Sequence, residues 1–195
     1  MPVIGIALFD GVEELDWVGP WEVLRTWAHY WPDDGAVVFT AAHADGPVTC
    51  AKGMRAIPDH RWDRAPAVDV LVYPGGRGTR PQLGDEAIRA WLRTTAASAS
   101  LVTSVCTGAL VLADAGLLDG RPATTHWQSL ELLASLGNGV EVRAEDRFVD
   151  DGDVVTASGV SAGIDMALHL VGRLGSPERA REVRRAIQYD PAPPY

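Results

Sequence analysis

Residues 100–112 read SLVTSVCTGALVL, a β-prone run, a cysteine and a run of small apolar residues. The first run closes on Val105, and Gly108 leaves room for a tight turn just after Cys106. The pattern predicts a buried strand that turns sharply into a helix, with Cys106 at the turn. Helix amides behind such a thiol favour a lowered pKa and a nucleophilic thiolate. A small cysteine that packs only as a hydrophobe is the alternative.

Strands and helices alternate along the chain, which predicts an α/β domain with a mostly parallel sheet covered by helices on both faces. We expect one domain spanning residues 1–195. Strands are predicted at 3–9, 36–42, 69–73, 101–105, 123–125, 140–142, 148–149 and 154–157, with a short hairpin at 48–57. Helices are predicted at 13–30, 85–97, after Cys106, at 129–136, at 164–174 and from Ser176 onwards.

Three local features refine this expectation. The Gly19-Pro20 pair predicts that the first helix is kinked or divided in two. The run 164–174 is apolar nearly all round, which is typical of a helix buried on every side. The proline-rich tail at 191–195 is expected to be extended.

Composition limits the class of protein. The chain has 195 residues, a net charge of −9 and only two cysteines, Cys50 and Cys106. This cysteine count gives no disulfide framework, so a cytoplasmic location is expected. The acidic balance argues against nucleic-acid binding, and no apolar stretch reaches the roughly 18 residues of a membrane span. The N-terminus shows no signal peptide and is expected to be that of the mature protein.

Candidate chemistry converges at the carboxyl ends of the predicted strands, where open α/β sheets bind ligands. The loop after the first strand carries four acids, the loop after residue 73 carries the Gly75-Gly76 pair, and the turn carries Cys106 and Thr107. A thiol, an acid and backbone amides can together support attack on an electrophilic carbon. The amides of Gly75, Gly76 and Thr107 are the candidate donors, although a glycine pair can equally form a plain turn.

Asp16 is the candidate acid among the four acids at 10–16. It lies between Leu15 and Trp17 in the first turns of a predicted helix, so partial desolvation is expected to raise its pKa. A helix N-terminal acid stabilised by the macrodipole is the alternative, and it describes Glu13 and Glu14 better.

Several other residues have both a functional and a structural interpretation. His126 follows a predicted strand and is a candidate base or a structural histidine, the interpretation we prefer. Trp17 and Trp127 either line the pocket or belong to the core. Asp165 and His169 share one helix face, but two ligands alone make a poor metal site, so no metal and no cofactor are predicted.

The chain resembles the ThiJ/PfpI superfamily, and within it the isonitrile hydratase branch. The resemblance spans essentially the whole chain and is specific at the superfamily level. The matching segments are Leu15–Val23, Val72–Gly76, Ser104–Ala109, Ala115–Trp127, Ala162–Leu168 and Tyr189–Pro191.

This resemblance implies a flavodoxin-like three-layer α/β sandwich with a nucleophile elbow, and a homodimer. It implies Cys106 as nucleophile, Asp16 as the acid facing its sulfur, and Thr107 as the third catalytic residue. Many members that cleave amides have histidine where this chain has Thr107, which puts protease activity in doubt. The implied enzyme is a lyase that hydrates an isonitrile, or another small electrophile, in a largely apolar pocket.

Two other functions stay open. The Cys-Thr-Gly-Ala and Ala-Thr-Thr-His-Trp segments also resemble the effector-sensing domains of AraC-type transcription regulators, although no basic DNA-binding module follows them here. A redox-responsive or stress-related homologue with an oxidisable Cys106 is the third interpretation, since a low thiol pKa and exposure would serve it equally well.

Overall fold

The computed structural model describes residues 1–192, so Pro193–Tyr195 of the predicted extended tail lie outside the described part. Its strands are β1 (Val3–Leu8), β2 (Val37–Ala42), β3 (Val48–Thr49), β4 (Arg55–Ala56), β5 (His60–Arg61), β6 (Val70–Tyr73), β7 (Leu101–Val105), β8 (Pro122–Ala123), β9 (Glu141–Val142), β10 (Phe148–Asp150) and β11 (Val154–Ala157). Its α-helices are α1 (Glu14–Tyr30), α2 (Glu86–Ser98), α3 (Gly108–Asp114), α4 (Leu130–Leu136), α5 (Ala162–Leu174) and α6 (Pro177–Ala186). Short 3₁₀ helices cover Pro32–Asp34, Arg77–Gln82 and Trp127–Ser129.

Within residues 1–192, a seven-stranded sheet runs in the order β10-β11-β7-β6-β1-β2-β5. All neighbours pair in parallel except β10, which is antiparallel to β11 at one edge. The predicted hairpin at 48–57 is confirmed as the antiparallel pair β3–β4. The strand order reverses between β1 and β6, and the loops that follow these strands and β7 meet at one edge of the sheet.

Helices cover both faces of the sheet. Alternate residues of β6 enter different cores, Val70 and Val72 one and Leu71 and Tyr73 the other. Helices α1, α5 and α6 pack together over the first core, and α2, α3 and α4 lie over the second. The predicted flavodoxin-like three-layer α/β sandwich is therefore confirmed.

The structure corrects two expectations about helices. Helix α1 is one helix through Pro20 and is not divided in two, and Gly19 and Pro20 lie in its close contact with α5, where a Cβ on Gly163 would lie 3.2 Å from the Pro20 ring. Helix α5 is buried on one side only: Met166 is fully buried, whereas Arg173 is exposed. The predicted strand at 123–125 is also shorter, being only Pro122–Ala123.

Candidate active site

Cys106 occupies the sharp turn between β7 and α3, as the sequence predicts for a nucleophile elbow. Its φ of 55° is in the left-handed region that residues with a side chain rarely adopt. The surrounding structure holds this conformation on both sides. The Cys106 amide donates to the carbonyls of Ala157 and Ser158, each at 3.0 Å, and the Thr125 hydroxyl donates to the Cys106 carbonyl at 2.7 Å.

Gly108 is required where the new helix starts against β6. A Cβ there would lie 2.2 Å from the carbonyl oxygen of Tyr73 and 2.9 Å from that of Pro74. Backbone oxygens cannot rotate away as a flexible side chain can. The absence of a side chain at this position therefore lets α3 begin directly behind the thiol.

Asp16 lies on α1 with its carboxyl fully buried against the elbow. Oδ2 accepts a hydrogen bond from the Gly75 amide at 2.9 Å, whereas Oδ1 accepts none from any nitrogen or oxygen of residues 1–192. Burial raises the pKa of Asp16 to about 7, and the nearby Glu13 carboxylate adds to the rise. The Gly75 amide and the facing Cys106 thiol oppose this shift because they hydrogen-bond to the ionised form. The raised pKa expected from the sequence is thus present, with burial as its main cause.

The Cys106 thiol differs from the expectation of a lowered pKa. Burial raises the pKa of Cys106 to about 12, and the Asp16 carboxylate raises it further by repulsion. Hydrogen bonds from the Val160 and Thr107 amides to the sulfur lower the pKa, but they do not outweigh the loss of solvent. The side chain is only 5% exposed, which the strand-turn-helix pattern alone could not reveal.

The amides of Gly75 and Gly76 both have partners already. Gly75 N donates to Asp16, and Gly76 N donates to the Thr107 hydroxyl at 2.9 Å. These two glycines therefore position the acid and the elbow, in contrast to the expected role as free donors toward a reacting oxygen. The amides that reach the sulfur belong to Thr107 and Val160.

The Thr107 side chain joins the elbow to the turn after β6. Its Oγ1 accepts from Gly76 N and lies 3.2 Å from both the Gly76 carbonyl and the Thr79 hydroxyl. Thr79 is fully buried and donates to the Gly76 carbonyl at 2.8 Å. The hydroxyl network thus fixes Thr107 beside the thiol.

Sequence reasoning missed three residues at this site: Thr79, Thr125 and Val160. Val160 has a φ of 43°, which is strained for a β-branched residue, and this brings its amide to the sulfur. No sequence signal marks Val160. Thr125 gave one signal, since it is a hydroxyl residue in the buried segment just before His126.

A cavity of about 470 Å³ opens beside Cys106 and Thr107. Most of its other lining residues have polar or charged side chains: Glu13, Gly76, Arg77, Arg80, His126, Gln128, Ser129 and Val160. His126 lies in the wall, and its Nδ1 accepts from the Gln128 amide at 3.3 Å.

The two candidate tryptophans lie apart from this cavity. Trp17 lines a separate cavity of about 680 Å³ together with Trp21 and Arg25. Trp127 is 70% exposed and does not line the cavity at Cys106. The aromatic lining suggested by the sequence is therefore not what surrounds the thiol.

The remaining acids of the first loop hold the β3–β4 hairpin. Asp10 accepts from the Thr49 amide at 2.8 Å, Glu14 accepts from the Lys52 amide at 2.7 Å, and Glu13 pairs with the Lys52 ammonium group. Only Asp16 of this group faces the sulfur.

Asp165 and His169 do not act as a pair. Asp165 pairs with Arg147 at 2.6 Å, and His169 lies 2.6 Å from Asp150. Among residues 1–192, no group of three or more His, Cys, Asp or Glu side chains could hold a metal ion. Over the same residues, no helix is long and apolar enough to cross a membrane.

Comparison with known proteins identifies the family. The sequence profile of the DJ-1/PfpI family matches residues 3–173. The chain belongs to the DJ-1/PfpI family. An isonitrile hydratase from Pseudomonas putida is 41% identical over 98% of this chain and 80% of its own length.

Two further relatives show that proteins with different functions share this fold and sequence pattern. The crystal structure of a ThiJ/PfpI family protein from Pseudomonas syringae superposes with a TM-score of 0.89 at 33% identity, over all of this chain and 77% of that one. The transcriptional regulator GbdR of Pseudomonas aeruginosa is 36% identical over 72% of this chain, but over only 36% of its own length. The family therefore includes both an enzyme and a regulator.

Proposed function

We propose that this protein hydrates an isonitrile to an N-substituted formamide, with Cys106 as nucleophile and Asp16 as proton carrier. One observation supports this most directly: a buried carboxyl whose pKa is about 7 faces a thiol held at an elbow. The 41% identity to an isonitrile hydratase over nearly the whole chain agrees with this chemistry.

The thiol and the carboxyl act as one unit that shares a proton. Above pH 7 this unit carries a single proton, because the pKa of Asp16 is about 7 and that of Cys106 about 12. The proton rests on sulfur, or moves to Asp16 when the sulfur attacks. The pair therefore supplies a thiolate and an acid together without a strongly acidic thiol.

The reaction then proceeds in two steps. Sγ bonds to the terminal isonitrile carbon while the shared proton moves to that carbon, which gives a thioimidate, R–N=CH–S–Cys106. Water adds across the C=N bond, its hydroxyl to carbon and its proton to nitrogen. The C–S bond breaks as the hydroxyl proton returns to the Asp16–Cys106 pair, and the formamide R–NH–CHO leaves.

The amides of Thr107 and Val160 stabilise the negative charge on sulfur as it leaves, because both hydrogen-bond to it. The Thr107 hydroxyl is a positioning group: it accepts a hydrogen bond from Gly76 N and so holds the elbow against the turn after β6.

Turnover of cyclohexyl isocyanide, followed as formation of the formamide, tests the proposal. We expect Cys106→Ala to abolish turnover and Asp16→Asn to lower it by about 100-fold or more, since proton transfer then lacks its carrier. Cys50→Ala is the matched control because it removes the other buried thiol, outside the site. Equal rates for wild type and Cys106→Ala would overturn the hydratase proposal.

A sensor function is the second candidate, and the regulator relative favours it. A sensor would bind a small ligand, seen as a rise in melting temperature, and would leave it unchanged after long incubation. The redox interpretation has less support from the site, since Cys106 is 5% exposed and its pKa is raised.

We also propose that the chain acts as one domain, as a homodimer, in the cytoplasm. Family membership supports the first of these, because the family profile covers residues 3–173. Light scattering on the purified protein would test the second.

A further inference from the structure

We propose that Arg77 and Arg80 form an anion subsite in the wall of the Cys106 cavity, which selects electrophiles carrying a carboxylate. This inference rests on the proposed function for the identity of the electrophile, though not for the charge of the substrate. It names a specificity-determining feature that Cys106, Asp16 and Thr107 do not supply.

The turn after β6 brings both guanidinium groups to the cavity. Arg77 and Arg80 line the same cavity as Cys106, and both side chains are exposed to solvent there. The stem of Arg77 lies against Gly11, where a Cβ would meet its Cγ at 3.2 Å. Arg80 reaches across to Ser129, whose Oγ lies 3.2 Å from its Nη2.

Neither guanidinium has a carboxylate partner among residues 1–192. Many other arginines do, such as Arg89 with Asp114 and Arg179 with Asp34. The chain has a net charge of −9, so two guanidinium groups without carboxylate partners make this cavity wall positive on an otherwise acidic protein. A guanidinium is the side chain best shaped to bind a carboxylate through two parallel hydrogen bonds.

The acids near the cavity do not cancel this charge. Glu13 is the one carboxylate lining it among residues 1–192, and Glu13 is already paired with Lys52. Asp16 is fully buried behind the thiol and bonded to the Gly75 amide. The cavity therefore presents a reactive sulfur at its base and two cations in its wall.

The ligand that fits is compact. A cavity of about 470 Å³ suits a small molecule whose electrophilic carbon and carboxylate are a few atoms apart. Isocyanoacetate has this arrangement, and its methyl ester has the same skeleton without the charge. A comparison of these two compounds therefore isolates the effect of the substrate's charge.

The first experiment compares kcat/KM for isocyanoacetate with that for methyl isocyanoacetate. We expect wild type to favour the anion, and each of Arg77→Gln and Arg80→Gln to lower the ratio by about fivefold, as for exposed ion pairs. Arg185→Gln on α6 removes the same charge outside the cavity, so its ratio should equal that of wild type.

The second experiment does not depend on hydration. Iodoacetate and iodoacetamide alkylate the same sulfur and differ in charge, so the ratio of their rates at Cys106, read by peptide mass mapping, reports the subsite alone. We expect this ratio to fall in the double variant Arg77→Gln/Arg80→Gln and to hold in Arg185→Gln. Melting temperatures equal to that of wild type show that the exposed substitutions leave the fold intact.

The outcomes separate the two proposals. If wild type consumes neither these two isonitriles nor cyclohexyl isocyanide, the hydratase proposal fails, and the alkylation ratio alone decides on the subsite. A lowered alkylation ratio in the double variant supports the anion subsite in either case. An unchanged alkylation ratio, or an equal fall in Arg185→Gln, overturns it.

Discussion

The Gly75 amide donates to Asp16 Oδ2 at 2.9 Å, and this bond fixes the carboxyl that faces the Cys106 thiol. The acid comes from α1 and its donor from the turn after β6, so two segments 59 residues apart in sequence set one protonation state. Burial raises the pKa of Asp16 to about 7 although this amide stabilises the ionised form. The first two predictions follow from that balance.

Stability should depend on pH through Asp16. Its pKa is about 7 in the folded state against 3.8 when exposed, so the folded state binds the proton more tightly. The stability this gives is fully present below pH 4 and is lost as pH rises through 7, an effect of about 4 kcal/mol. Urea unfolding of wild type and Asp16→Asn at pH 4 and pH 8 measures it.

The asparagine variant isolates this effect because its side chain carries no ionisable group. We expect Asp16→Asn to gain stability relative to wild type between pH 4 and pH 8. Parallel pH profiles for the two proteins would mean that Asp16 titrates normally in the folded state.

Turnover should rise with pH through about 7. The active form of the Asp16–Cys106 pair holds one proton, and below pH 7 a second proton occupies Asp16. We expect kcat/KM for cyclohexyl isocyanide to rise between pH 5.5 and 7 and then to stay level to pH 9, since the one remaining proton, on the Cys106 thiol, leaves only near pH 12. A rate that falls across this range contradicts the shared-proton mechanism.

The sequence predicted the elements and the elbow because both depend on local patterns. A β-prone run, a cysteine and Gly108 are contiguous, so the turn at Cys106 could be read directly. Asp16 is likewise a local prediction, because its apolar neighbours indicate a desolvated carboxyl. These features depend on residues close together in the chain.

Features set by packing between distant segments could not be predicted in the same way. The thiol pKa was expected to fall, yet burial and Asp16 raise it. The amide of Val160 reaches the sulfur from the loop after β11, and no spacing rule connects Val160 with Cys106. The packing of Gly19 and Pro20 of α1 against α5 is likewise a contact between distant segments.

The Thr107 hydroxyl should support the stability of the elbow. Thr107→Val removes the acceptor for Gly76 N and leaves a partly buried amide without a partner, at a cost of about 1–3 kcal/mol. Thr107→Ser keeps the oxygen and should stay within about 0.5 kcal/mol of wild type. Urea unfolding of the two variants tests this, and an equal loss in both would mean that the bond between the Thr107 hydroxyl and Gly76 N is not what stabilises the elbow.

Gly75→Ala should disrupt the site more than its small size suggests. A Cβ there would lie 2.5 Å from the Thr107 amide, 2.6 Å from its Oγ1 and 2.8 Å from Asp16 Oδ2, and the elbow backbone cannot move away. We expect a loss of about 1–3 kcal/mol in unfolding free energy, together with a fall in turnover as the carboxyl is displaced from Cys106. Gly172→Ala on α5 is the control, because its nearest neighbour would be 3.5 Å away and alanine favours the helix by about 1 kcal/mol. Should Gly75→Ala match Gly172→Ala in both stability and turnover, the close packing of Gly75, Asp16 and Thr107 would not be what holds the acid in place.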